Sequence, residues 1–190
     1  MAKLWLQSLL ALIVLTVLTG IAYPLVVTGA AQLCCREQAE GSLLQQRGHL
    51  VGSALLGQPF DQPRYFWPRP SATTPQPYNS ASSSGSNQGP TNPAQLDAVR
   101  MRVAALQAAD PGNALPVPVD LVTASASGLD PEISPAAALY QVSRVARARR
   151  VDPQQLRALV RAHIRPRQWG IFGEPRVNVL QLNLALDALY

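Results

Sequence analysis

Residues Leu4 to Val27, LWLQSLLALIVLTVLTGIAYPLVV, decide how the rest of this chain is read. They lie within a longer stretch, Leu4 to Cys35, that contains no Asp, Glu, Lys or Arg. A bilayer-spanning helix needs about 20 predominantly apolar residues, so the run is long enough to span with some tilt. Trp5 and Tyr23 stand near its two ends, where amphipathic aromatic rings favour the membrane–water interface. A cleaved signal peptide is the competing reading. The apolar run is longer than an ordinary signal core, Lys3 alone makes a thin charged region, and the small residues Thr28 to Ala31 come late. Gln32 and Leu33 stand before Cys34 where a lipoprotein signal wants small residues. Pro24 is expected to kink or end the helix near the far interface.

Orientation rests on weaker signals. Lys3 and the free N-terminus favour a cytoplasmic start, whereas Arg36 and Arg47 follow the span. Most other positive charge lies far downstream, where long translocated domains escape the charge rule. The expected topology is a single-pass protein with its N-terminus inside and its domain outside.

The 190 residues suit one domain with an appendage. Residues 1–35 are read as anchor and boundary, and 36–190 as a single extracytoplasmic α+β domain. Leu50 to Leu56 reads as a short strand between Gly48 and Gly57, and Tyr65-Phe66-Trp67 as a second. Residues 68–91 are dense in Pro, Ser, Thr, Asn and Gly and form a long loop. Asn92-Pro93, Ser134-Pro135 and Asp152-Pro153 each set a capping side chain before a proline at the first helical position. Apolar residues then recur at helical spacing: Leu96, Val99, Val103, Leu106; Leu139, Val142, Val145, Ala146; Leu156, Leu159, Val160, Ile164. Val117 to Thr123 is β-branched enough for an edge strand. The C-terminal leucines alternate, but Asn178 followed by Gln181 repeats the capping pattern, and a helix is expected. The sum is a small sheet with helices packed on it.

Several chemistries are disfavoured. Lys3 is the only lysine, which removes a phosphate-binding P-loop and Lys-based covalent catalysis. Two histidines and the adjacent Cys34 and Cys35 cannot assemble a Cys/His zinc site. Adjacent α-carbons about 3.8 Å apart also disfavour a bridge between the two cysteines. A hydrolase built from Ser53 or Ser86 with His163 and Asp130 is one alternative, though His163 reads more simply as a core residue. The Ser/Gly/Asn-rich run Ser82 to Asn92 leads into a capped helix and is either an anion-binding concavity or a turn-rich connector. Arginines recur from Arg144 to Arg167 with Asp152 as the sole acid, so an anionic-lipid-binding module is another alternative. Nucleic acid is not an expected partner of a domain outside the cell.

Ordered stretches carry a family resemblance. They are Gly52-Ser-Ala-Leu-Leu-Gly-Gln-Pro-Phe60, Arg69-Pro-Ser-Ala72 and Gly85-Ser-Asn-Gln-Gly-Pro-Thr-Asn92, then Asp120-Leu-Val-Thr-Ala-Ser-Ala-Ser-Gly-Leu-Asp-Pro131 and Gly173-Glu-Pro-Arg-Val-Asn178 with the residues through Asp187. With the anchor they cover nearly the whole chain, which resembles the C subunit of the Kdp high-affinity potassium-transporting P-type ATPase. Ser84, Gln88 and the Arg165-Pro166 that follows His163 depart from the family pattern. The resemblance implies a non-catalytic accessory subunit in the bacterial inner membrane. Its partners would be a potassium-channel-like membrane subunit and the P-type catalytic subunit, besides the lipid bilayer. It further implies a catalytic chaperone that raises the catalytic subunit's ATP affinity, with ATP as a shared ligand and Gln141 and Arg144 nearest its phosphates. That role conflicts with a domain outside the cell. Gly20, Arg69, Ser86, Asn87, Asp120, Thr123, Ser125, Ser127, Asp130 and Asn178 are the partner-interface candidates.

Overall fold

A computed structural model describes residues 1–189. The chain divides into two compact units, Met1–Leu44 and the part from Gln45 onward. The first is a helical run from Ala2 to Cys34, long and apolar enough to cross a membrane. It comprises α1 (Ala2–Val17), one π-helical turn (Leu18–Ala22) and α2 (Tyr23–Cys34). Pro24 does not end it. The Tyr23 N–H reaches back to Leu18 O, and this wider turn just before Pro24 accommodates a ring that would crowd the Gly20 carbonyl. A short helix, α3 (Arg36–Ala39), follows, and Cys34 and Cys35 are both free and exposed.

The boundary between the units falls within β1 (Leu43–Gln46), which forms a hairpin with β2 (His49–Ser53). Arg47 and Gly48 between them both take positive φ, +51° and +79°, as a two-residue hairpin turn requires. Helices α4 (Pro93–Ala109), α5 (Pro135–Tyr140) and α7 (Pro153–Ala162) begin where the proline caps place them. Asn92 accepts from the Ala94 N–H at 2.9 Å, Ser134 from Ala137 at 3.0 Å and Asp152 from Gln154 at 2.9 Å. Helix α6 (Val142–Arg149) continues α5 after a tightened turn in which the Gln141 N–H bonds Ala138 O. Helix α8 (Val179–Leu189) is capped by Asn178, whose Oδ1 accepts from the Gln181 N–H at 3.0 Å.

The sheet is small: β3 (Glu132–Ile133), β5 (Arg176–Asn178) and β4 (Ile164–Arg165), antiparallel in the order β3-β5-β4. Ile133 and Ile164 both pair with Val177, which is fully buried at its centre. Around it pack Val142, Val145 and Ala146 of α6, Leu156 and Val160 of α7, and Leu182 and Leu186 of α8. Helix α4 is more peripheral: Leu106 is buried, Val99 and Val103 are partly so, and Leu96 is 42% exposed.

Two expected strands are absent. Val117 to Thr123 contains a 3₁₀ turn (Val119–Leu121) instead: Pro118 lacks a ladder donor, and the Asp120 carboxylate accepts from the Ser134 N–H 14 residues further on. Tyr65-Phe66-Trp67 pairs with no strand, yet its backbone is bonded as though it did. Phe66 N–H donates to Asn183 Oδ1 at 2.9 Å, and Asn183 Nδ2 donates to Phe66 O at 3.0 Å. Trp67 N–H donates to Gln141 Oε1 at 2.7 Å, and Gln141 Nε2 donates to Trp67 O at 3.1 Å. Successive residues thus meet amides on opposite sides, as in an extended chain between two strands. Each side-chain amide carries the donor and acceptor of one peptide group.

Asn183 is 2% exposed and Phe66 0%, so truncating the amide strands two buried backbone groups. Each such group costs about 1–3 kcal/mol. Asn183→Ala is therefore expected to lower unfolding free energy by roughly 2–5 kcal/mol in urea titrations of the detergent-solubilised chain. Arg161→Ala, at an exposed position, is expected to stay within about 0.5 kcal/mol.

Candidate functional site

The first polar centre surrounds the same segment. Gln141 is 1% exposed and fully bonded: its Oε1 also accepts from Arg144 Nη2, and its Nε2 also donates to Ala137 O. Arg144 is 4% exposed, donates Nη1 to Pro63 O at 2.6 Å, and stacks over the Trp67 ring at 3.9 Å. Burial lowers its pKa to about 10, opposed by the Asp110 carboxylate. Arg149 completes the clamp, donating to Arg64 O and pairing with Asp187, which also accepts from the Tyr65 hydroxyl. Gln141 and Arg144 thus direct their polar groups onto residues 63–67.

The second centre is a knot of three loops. Residues 123–131 lie against 69–86 and the chain around Gly57. Ser71 Oγ donates to Gly128 O at 2.7 Å and accepts from the Tyr78 N–H at 2.9 Å. Ser84 N–H and Ser83 Oγ both donate to Ser127 O at 3.0 Å. Ser125 Oγ accepts from Gly128 N–H, Ser127 Oγ from Leu129 N–H, and Gly57 N–H bonds Leu129 O. The 68–91 loop is therefore a bonded layer through its first half. Glycine is required where these backbones meet. A Cβ on Gly57 would lie 2.3 Å from the Tyr78 ring, and one on Gly128, at φ +67°, would lie 2.6 Å from Ser84 O. The Tyr78 phenol donates to Arg69 O; burial raises its pKa, the Asp130 carboxylate raises it further, and Arg69 opposes both.

Beside the knot opens a cleft of about 550 Å³ lined by Arg69, Asp120, Asp130, Glu132, Glu174 and Arg176, among others. Its carboxylates are all engaged. Asp130 pairs with Arg69 at 3.0 Å and accepts from Glu132 N–H; Glu132 pairs with Arg176 at 2.8 Å. Glu174 pairs with Arg167, and Asp120 accepts from both the N–H and the hydroxyl of Ser134. Arg69 Nε is shielded from solvent and has no hydrogen-bond partner among the described residues.

The expected interface residues separate into groups. Arg69, Asp120 and Asp130 line this cleft, and Ser125 and Ser127 line its neighbour, of about 540 Å³, together with Arg69 and Asp130. Thr123 bonds its hydroxyl to Val119 O within the adjoining turn. Asn178 is 2% exposed; it caps α8 and donates Nδ2 to Ala54 O. Ser86 and Asn87 are exposed, Asn87 at φ +52°. Gly20 belongs to the helical run of the first unit. Of the residues named for the hydrolase alternative, His163 bonds Leu159 O of its own helix through Nδ1, and Asp130 is held by Arg69. Sequence reasoning missed Asn183, Ser71 and Tyr78. Asn183 carried one signal, a polar residue amid the apolar run of α8.

The described residues thus form a self-bonded domain with closed ion pairs, preceded by a helix long and apolar enough to cross a membrane. Residues 5–188 match the family model described as K+-transporting ATPase, c chain. A potassium-transporting ATPase KdpC subunit of Dechloromonas aromatica is 62% identical over 177 residues, covering 93% of each chain. Namesakes from Variovorax paradoxus and Methylococcus capsulatus are 63% and 61% identical, covering 95% and 94%, and 96% and 96%, of this chain and the relative respectively. The chain belongs to the KdpC family, as its resemblance implied.

Gly128→Ala combines a left-handed backbone with a backbone clash. It is expected to destabilise the chain by about 2 kcal/mol or more in urea unfolding. Gly112→Ala, with open space around its Cβ, is expected to be neutral in the same assay.

Proposed function

We propose that this chain is the assembly subunit of an ATP-driven, high-affinity potassium import complex. It is held in the inner membrane by the Ala2–Cys34 helix, with its N-terminus cytoplasmic and its domain outside. Its partners are a potassium-channel-like membrane subunit and a P-type catalytic subunit. The observation that carries the reading is the family match over residues 5–188 together with about 60% identity to proteins named as subunits of that ATPase. The hydrogen-bonded loop knot supports it as a docking surface: apart from Arg69 Nε, its polar groups named above are bonded within the domain, so binding a partner has less to order.

A rise in the catalytic subunit's ATP affinity is, in this reading, an effect of assembly. Gln141 and Arg144 are buried and bonded to residues 63–67, so these donors are already occupied within the domain. Arg144→Lys separates the two roles. A single ammonium cannot bridge Pro63 O and Gln141 Oε1 while stacking on Trp67. The variant is expected to lower stability by about 1–3 kcal/mol. Complexes that still assemble are expected to keep the wild-type KM for ATP. A raised KM in intact complexes would restore direct contact.

The assembly itself is tested by purifying the tagged chain in detergent from potassium-limited cells. Two large membrane subunits are expected to accompany it, and recovery of the chain alone would overturn the proposal. Protease added to intact spheroplasts is expected to cut the domain; protection there with cleavage in inverted vesicles would reverse the orientation.

A further inference from the structure

Between β4 and β5 the chain turns out a hairpin tip that neither polar centre uses. Gln168 and Phe172 bridge it, with Gln168 N–H to Phe172 O at 2.9 Å and Phe172 N–H to Gln168 O at 3.0 Å. Trp169, Ile171 and Phe172 crowd this tip at 81%, 72% and 58% exposure, the two rings edge to face at 5.9 Å. Trp169 sits at φ +53°, a conformation that bulky residues rarely adopt. Neither the exposure nor the strain is compensated by burial within the domain. Arg165 and Arg167 flank the tip, and from Arg157 to Arg176 five arginines face one acid, Glu174.

We propose that this tip seats Trp169, Ile171 and Phe172 in the headgroup–acyl boundary of an anionic bilayer, a contact separate from the N-terminal helix. The inference rests on that helix being a membrane anchor. Covalent reach then keeps the domain near lipid, since residues 35–44 span at most about 35 Å even when fully extended. The composition fits the interface: aromatic rings prefer it, and although Arg167 is paired with Glu174 and Arg165 is bonded to Gln181, the segment's net positive charge favours anionic headgroups. Three side chains on a projecting turn are too few for a stable protein interface, which buries about 800 Å² per partner. A lipid surface demands no complementary shape.

The test replaces Ile171 with photoreactive benzoylphenylalanine in the full chain, co-expressed with its partner subunits. The complex is reconstituted in vesicles of phosphatidylethanolamine and phosphatidylglycerol at 3:1, irradiated and analysed by mass spectrometry. A phospholipid adduct is expected as the main product, falling severalfold in vesicles of neutral phosphatidylcholine. The same probe at Leu115, 59% exposed in a different loop, is expected to label lipid far less. An adduct to another subunit or to a second copy of this chain, no adduct, or equal labelling from Leu115 would each overturn the proposal. Carbonate extraction of the same vesicles tests the anchor separately: a chain that resists extraction but yields no lipid adduct refutes the tip contact alone. In a Trp5→Phe chain, brominated phosphatidylglycerol is expected to quench Trp169 emission, measured as the difference from Trp5→Phe/Trp169→Phe; unquenched emission would also refute it.

Discussion

The domain depends on two side-chain amides. Asn183 and Gln141 each present a carbonyl and an amino group to one residue of an extended segment, and together they stand in for two missing neighbour strands. Without them the segment could not cross the core, because Phe66 is fully buried and its peptide groups would lose water with nothing in exchange. The contacts join residues 117 and 74 positions apart in sequence, so this one device ties α8, the α5–α6 turn and the start of the long loop together. Arg144 and Arg149 extend it to Pro63 O and Arg64 O.

From that clamp the loop layer takes its path. The chain leaves Trp67 at a fixed point and enters the knot at Arg69, where Asp130, Tyr78 and Ser71 hold it against residues 123–131. Serine and threonine hydroxyls do there what ladder bonds do in a sheet, and glycines let backbones meet. The basic character of the sequence is correspondingly reduced at the surface. Arg144 and Arg149 bond backbone inside the domain, Arg147 pairs with the buried Asp110, and Arg167 with Glu174. Such a domain presents shape and a few closed ion pairs rather than reactive groups, in keeping with an accessory subunit.

How much of this was legible follows from the range of each interaction. The membrane-length helix and the proline-capped helices are written in consecutive residues, and they lie where the local pattern put them. The continuation past Pro24 was not legible, since a π turn leaves no compositional mark. The strands of the sheet span two or three residues each, too short for an alternation to register. Tyr65-Phe66-Trp67 reads as a strand from its aromatic residues, but Tyr65 lies in a bend and the backbone of Phe66 and Trp67 is bonded by the distant side chains of Asn183 and Gln141. Gln141 and Arg144 show polarity in the sequence and not burial. The ligand role expected of them came from the family resemblance; in the fold both bond backbone of residues 63–67. The cleft acids were visible as residues, whereas their closure by Arg69, Arg167 and Arg176 needed the tertiary structure.

Amide hydrogen exchange on the detergent-solubilised chain measures the clamp directly. The Phe66 and Trp67 amides are expected to exchange as slowly as those of Leu182 and Leu186 in α8, through opening of the whole domain. Exchange of Phe66 and Trp67 at the rate of the exposed Thr74 and Gln76 amides, with α8 still protected, would contradict the account.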